Sequence, residues 1–123
     1  MQPLNVVIAQ EDCVRAEHLA IALHPHFRNV SIARDLEELR RNTARNRAAL
    51  AVVDLELISM DELATFCKEF PGVAVVCTHR VPDESMWMQI LAVGAIDCCH
   101  TLDVRVIVEA ARGKARLANA KAA

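Results

Sequence analysis

Asn5-Val-Val-Ile-Ala-Gln-Glu-Asp12 decides the reading of this chain: an unbroken apolar run of mostly β-branched residues feeds directly into a glutamine and two carboxylates. A short apolar run without alternation reads as a strand buried on both faces, the kind found in parallel sheets. Two more runs match it, Leu50–Val53 (LAVV), which ends at Asp54, and Val73–Cys77 (VAVVC). Asn29–Ala33 (NVSIA) and Ala95–Cys99 (AIDCC) read as weaker strands.

Helical spacing fills the gaps between these runs. Cys13, Ala16, Ala20 and Leu23 recur on one face across Asp12–His24. Asp35, with Glu38 three positions on, caps a helix that runs to about Arg47. Asp61–Phe70 places Leu63, Phe66, Cys67 and Phe70 on one face, and Pro71-Gly72 ends it. Pro82-Asp83 starts a helix with Met86, Ile90 and Leu91 inward and Gly94 as its stop. Asp103 caps a last helix through about Leu117. Five βα units predict an α/β fold, a three-layer, doubly wound, flavodoxin-like five-stranded parallel sheet of order 2-1-3-4-5.

Composition bounds the rest. The chain has 123 residues, so one domain is expected, spanning 1–118 with 119–123 as a tail or the start of a linker. Hydrophobic residues make up 54% and aromatics only 3%, so the core must come from Val, Leu, Ile and Ala. The 14 basic and 16 acidic side chains leave a formal charge of -2, which argues against a dedicated nucleic-acid binder. No apolar run is long enough for a membrane span and Met1-Gln2-Pro3 is not a signal-peptide start, so a cytoplasmic protein is expected. Cys13, Cys67, Cys77, Cys98 and Cys99 form an odd set without C-x-x-C or C-x-x-H spacing, which indicates neither a zinc site nor a disulfide framework.

In order 2-1-3-4-5 the first and third strands are neighbours, and the ligand crevice opens at their carboxyl ends. Gln10, Glu11 and Asp12 then sit beside Asp54. Carboxylates about 4 Å apart repel by a few kcal/mol at an effective dielectric of about 20, unless a cation or proton intervenes. Magnesium suits such a site, because it takes one or two carboxylates together with waters and phosphate oxygens. A metal-assisted carboxylate is also a competent nucleophile for phosphoryl transfer, a role open to Asp54. The plainer alternative is that these acids shape turns and that Asp12 caps the first helix.

From Leu4 to Leu117 the chain resembles the receiver domain of two-component response regulators, as an atypical member. Val6-Val-Ile-Ala-Gln-Glu-Asp12 is similar to the family's first strand and acidic pair, Leu50-Ala-Val-Val-Asp54-Leu55 to its phosphoacceptor strand, and Gly94-Ala-Ile-Asp97 to the step before its last strand. The resemblance implies Asp54 as phosphoacceptor, with Glu11, Asp54 and the backbone carbonyl of Glu56 as magnesium ligands. It also implies Thr78 as the hydroxyl that follows the phosphoryl group, with His79 a rival for that place. The partner it implies is a histidine kinase or phosphotransfer protein. The family's departures fall at the same site. Gln10 stands for an acid, which weakens magnesium binding; Thr101 stands for the active-site lysine, and Leu102 for the proline after it. Cys98 stands for the aromatic switch residue and Glu62 for the glycine after the phosphoacceptor loop.

Two function readings follow: a phosphorylatable signalling receiver, and a phosphorylation-independent pseudo-receiver that acts as a constitutive interaction module. Neither turns over an external substrate. A flavin-binding protein of the same topology is disfavoured, because Gln10-Glu-Asp-Cys13 offers carboxylates where a phosphate would sit. Met86, Trp87 and Met88 cannot all face one core at about 100° per residue, so part of this cluster is an expected surface for a homodimer or an output domain. Arg40, Arg41, Arg45 and Arg47, beside Glu37 and Glu38, read as a solvated helix face. Cys98-Cys99 point to opposite faces of a strand, which disfavours a bridge between them, and His100 reads as a loop histidine.

Overall fold

Alternate residues of each central strand enter opposite cores. Val7, Ala9, Ala51, Val53, Val75 and Cys77 belong to one buried cluster, and Val6, Ile8, Leu50, Val52 and Val76 to the other. That division, in a computed structural model describing residues 2–122, follows from the period of two along a pleated strand. The strands are β1 (Gln2–Ala9), β2 (Phe27–Ala33), β3 (Leu50–Asp54), β4 (Ala74–His79) and β5 (Asp97–His100), all parallel and in the order β2-β1-β3-β4-β5. This is the expected doubly wound sheet.

The helices are α1 (Cys13–Leu23), α2 (Leu36–Arg45), α3 (Met60–Glu69), α4 (Glu84–Ala92) and α5 (Val104–Ala122). Leu19 and Leu23 of α1 and Ile107 and Ala111 of α5 cover one face of the sheet. Leu39 of α2, Leu63 and Phe66 of α3 and Ile90 of α4 cover the other. Three layers result. Helix starts coincide with short oxygen-bearing side chains that accept orphan backbone N–H groups: Asp12, Asp35, Ser59 and Asp83.

Several details differ from the sequence reading. Strand β1 begins at Gln2 and β2 at Phe27, both earlier than expected, while β5 is shifted to Asp97–His100. Leu91, expected inward, is 38% exposed, because Ile90 is the buried side chain of α4, with Met86 half-buried one turn before it, and the next residue along the chain points about 100° away. Glu62 completes a capping box with Ser59, so a glycine is not needed there. Helix α5 continues through Ala122, past its expected end near Leu117, so most of the expected tail is helical backbone. Ala123, and all side chains from 114 on, lie outside the described residues.

Gly94 follows α4 with φ +112, a backbone conformation that disfavours any residue with a Cβ. An added Cβ would also come within 3.1 Å of the Cys67 Cβ.

Candidate functional site

Register brings the site together. Ala9 pairs with Val53, and Asp54 pairs with Thr78, so Gln10, Asp54 and Thr78 emerge from three adjacent strands at their carboxyl ends. All three are buried, with Asp54 only 2% exposed. Its carboxylate keeps its hydrogen bonds because donors converge on it. Gln10 Nε2 donates to Oδ2 at 2.9 Å, Thr78 Oγ1 donates to the same oxygen at 3.2 Å, and the Glu56 backbone N–H donates to Oδ1 at 2.8 Å. Burying a charge is tolerable only with such pairing.

The cleft above this carboxylate has a volume of about 370 Å³ and is lined by both charge signs. Glu11, Asp12 and Glu56 stand on its walls with Arg15 and Arg80. Arg80 Nε donates to Glu56 Oε1 at 2.7 Å, and this bond holds the Glu56 carboxyl below the usual carboxylate range. Asp12 has turned to its helix: Oδ1 accepts the Val14 and Arg15 N–H groups, and those bonds lower its pKa. The cap reading of Asp12 therefore holds, although the residue still borders the cleft.

Thr78, and not His79, meets Asp54. The His79 Nδ1 accepts the Val81 N–H at 3.0 Å, and its Nε2 lies 3.9 Å from Glu56. Thr101, expected to stand for the family's lysine, is 2% exposed, and among the described residues its hydroxyl is the one buried side-chain polar atom without a hydrogen-bond partner. Among the described residues no peptide bond is cis, which includes the bond before Leu102. Cys98 is half-buried and borders a second cleft with Trp87 and Asp83. His100 accepts the Leu102 N–H and remains exposed.

The acidic set does not fit magnesium as it is arranged. Glu11 is exposed at the rim, three donors leave Asp54 one lone pair on Oδ1, and the Gln10 amide presents N–H where a cation would approach Oδ2. The Gln10 carbonyl oxygen, the end able to ligate a metal, instead accepts the Asp12 N–H at 3.1 Å. Among the described residues no three His, Cys, Asp or Glu side chains are grouped to hold a metal ion. Sequence reasoning named Gln10, Glu11, Asp12, Asp54, Glu56 and Thr78, which the structure brings to this end of the sheet, but missed Arg15 and Arg80. The signal for Arg80 was its position two residues after Thr78 at the same strand end.

Away from the crevice, the arginine patch is partly neutralised. Arg40 makes a bidentate pair with Glu69 at 2.7 Å, and Arg41 lies 3.5 Å from Glu37. No helix among the described residues is long and apolar enough to cross a membrane.

No protein-family model and no curated protein matches the chain. Solved structures match it in shape. The signal receiver domain of a DNA binding response regulator from Colwellia psychrerythraea 34H aligns with a TM-score of 0.77 at 14% identity, over 92% of this chain and 98% of that one. A response regulator from Thermotoga maritima gives 0.75 at 22% identity, over 89% and 99%. A candidate pilus assembly-related protein from Burkholderia pseudomallei K96243 gives 0.78 at 17% identity, over 94% and 92%. At these identities the likeness establishes the fold, which is that of response-regulator receiver domains.

Proposed function

We propose that the chain is a receiver-type signalling module that acts by protein–protein contact and whose crevice is held in one state by its own hydrogen bonds. The observation that carries this reading is the Gln10 amide seated on Asp54 Oδ2, together with a threonine where a lysine would face a phosphoryl group. The contact surface is the side of the fold made by α4 and β5. Trp87, Met88 and Leu91 are exposed there, and apolar surface of this kind suits a second copy of the chain or an output domain. Neither response regulation nor pilus assembly follows from the fold alone, because one fold serves many functions.

A second reading is favoured by Thr78, whose hydroxyl stands beside Asp54 as a phosphoryl-following residue would. In that reading a histidine kinase or phosphotransfer protein phosphorylates Asp54, with magnesium held by Glu11, Asp54 and the Glu56 carbonyl. A cation on Oδ2 would have to displace Gln10, whereas Oδ1, which accepts the Glu56 N–H, keeps a second lone pair for it. Intact-mass spectrometry after incubation with acetyl phosphate and magnesium separates the two readings. The interaction-module reading predicts unmodified protein. A phosphoryl adduct that disappears in Asp54→Asn would establish the second reading instead.

A further inference from the structure

We infer that Gln10 and Arg80 occupy carboxylate oxygens that a divalent cation would use in an all-acidic crevice, Gln10 by donating to Asp54 and Arg80 by pairing with Glu56, making this site indifferent to divalent cations. The inference rests on reading the crevice as a fixed receiver site and names what fixes it. Gln10 is anchored at three points. Its backbone N–H donates to the Ala33 carbonyl at 3.0 Å, its side-chain oxygen accepts the Asp12 N–H at 3.1 Å, and its amide nitrogen donates to Asp54 Oδ2 at 2.9 Å. Reversing the amide would set its oxygen against the Asp54 carboxylate and its NH2 against the Asp12 N–H, losing both bonds.

Arg80 completes the replacement from the other wall. Its guanidinium is tied to the Glu56 carboxylate at 2.7 Å, while the backbone N–H of the same Glu56 donates to Asp54 Oδ1 at 2.8 Å. One residue thus links the buried anion to a fixed cation at the cleft mouth. Arg15 lines the same cleft, with its Nε 3.8 Å from Asp12. An incoming divalent cation meets Glu11, Asp12 and Glu56 at the rim, of which Asp12 and Glu56 already stand beside Arg15 and Arg80, and an amide N–H on the Asp54 carboxylate. Gln10 is therefore a specificity-determining residue that excludes metal, and a single change of charge there should reverse the preference.

Manganese titration followed by electron paramagnetic resonance tests this on the full chain. Wild type should show no saturable binding up to the highest concentration used, whereas Gln10→Asp, which adds a second carboxylate, should bind saturably with a dissociation constant at least about tenfold below that limit. Adding Arg80→Ala should tighten binding further, and adding Asp54→Asn should abolish it. Gln10→Ala covers the case in which the aspartate variant does not fold: its thermal midpoint should rise with magnesium while that of wild type stays constant. Saturable wild-type binding that Asp54→Asn removes would overturn the inference. So would folded Gln10→Asp and Gln10→Ala variants that ignore both metals. A phosphoryl adduct on Asp54 that forms equally well in chelator would support metal indifference while contradicting the interaction-only reading, so the two can fail separately.

Discussion

Asp54 and the cysteines show how one sheet treats two kinds of acid. Asp54 is buried with three donors. Cys77 and Cys99 are buried without comparable pairing, and burial pushes the Cys77 thiol far above its ordinary value and the Cys99 thiol up to about 12. A thiol whose folded pKa is raised contributes stability that is fully present below its unfolded value, roughly 8.5, and is lost as pH rises toward the folded value. The thermal midpoint should therefore fall between about pH 8 and pH 10, with a shallower slope in Cys77→Ala and Cys99→Ala. A steep fall unchanged in both variants would contradict this account. At this scale the sequence made Gln10 and Asp54 neighbours by strand order alone. It did not reveal which end of the Gln10 amide faces the carboxylate, because that depends on the Asp12 N–H presented by the turn into α1. The choice between Thr78 and His79 was equally closed to spacing and was decided by the β3–β4 register.

Helix α4 is the element least committed to the core. Ile90 is its one fully buried side chain, whereas Trp87 is 43% and Met88 61% exposed. Strand β5 beside it has a free outer edge, since the sheet ends there. If this side is where a second copy docks, sedimentation of wild type should depend on concentration, and Trp87→Glu should remove that dependence while shifting stability by no more than about 0.5 to 1 kcal/mol. Unchanged sedimentation in a folded Trp87→Glu would remove Trp87 from any self-interface. Helices and strands were legible as elements because short unbroken apolar runs give way to apolar positions at a spacing of about 3.6 along the chain. Their ends were less so. Ser59 and Glu62 form a capping box that the acidic Asp61 masked as a start signal, and the inward face of α4 was set too wide by counting adjacent Ile90 and Leu91 together.

Across the whole molecule, strand order does the work that no single motif does. It sets the ends of β1, β3 and β4 side by side, so residues separated by 44 and 24 positions meet at one carboxylate. The order itself was readable from five βα units and right-handed crossovers. The cationic side of the crevice was not, because Arg15 and Arg80 enter from α1 and from the loop after β4, outside the strand-end carboxylates from which the site was built. The central claim is that this end of the sheet is set permanently and is not switched. Two-dimensional amide NMR before and after adding acetyl phosphate with magnesium tests it most directly. The account predicts unmoved resonances for Gln10, Glu56 and Thr78 and for the residues of α4 and β5; shifts that begin at Glu56 and Thr78 and spread to Cys98 and Trp87 would contradict it.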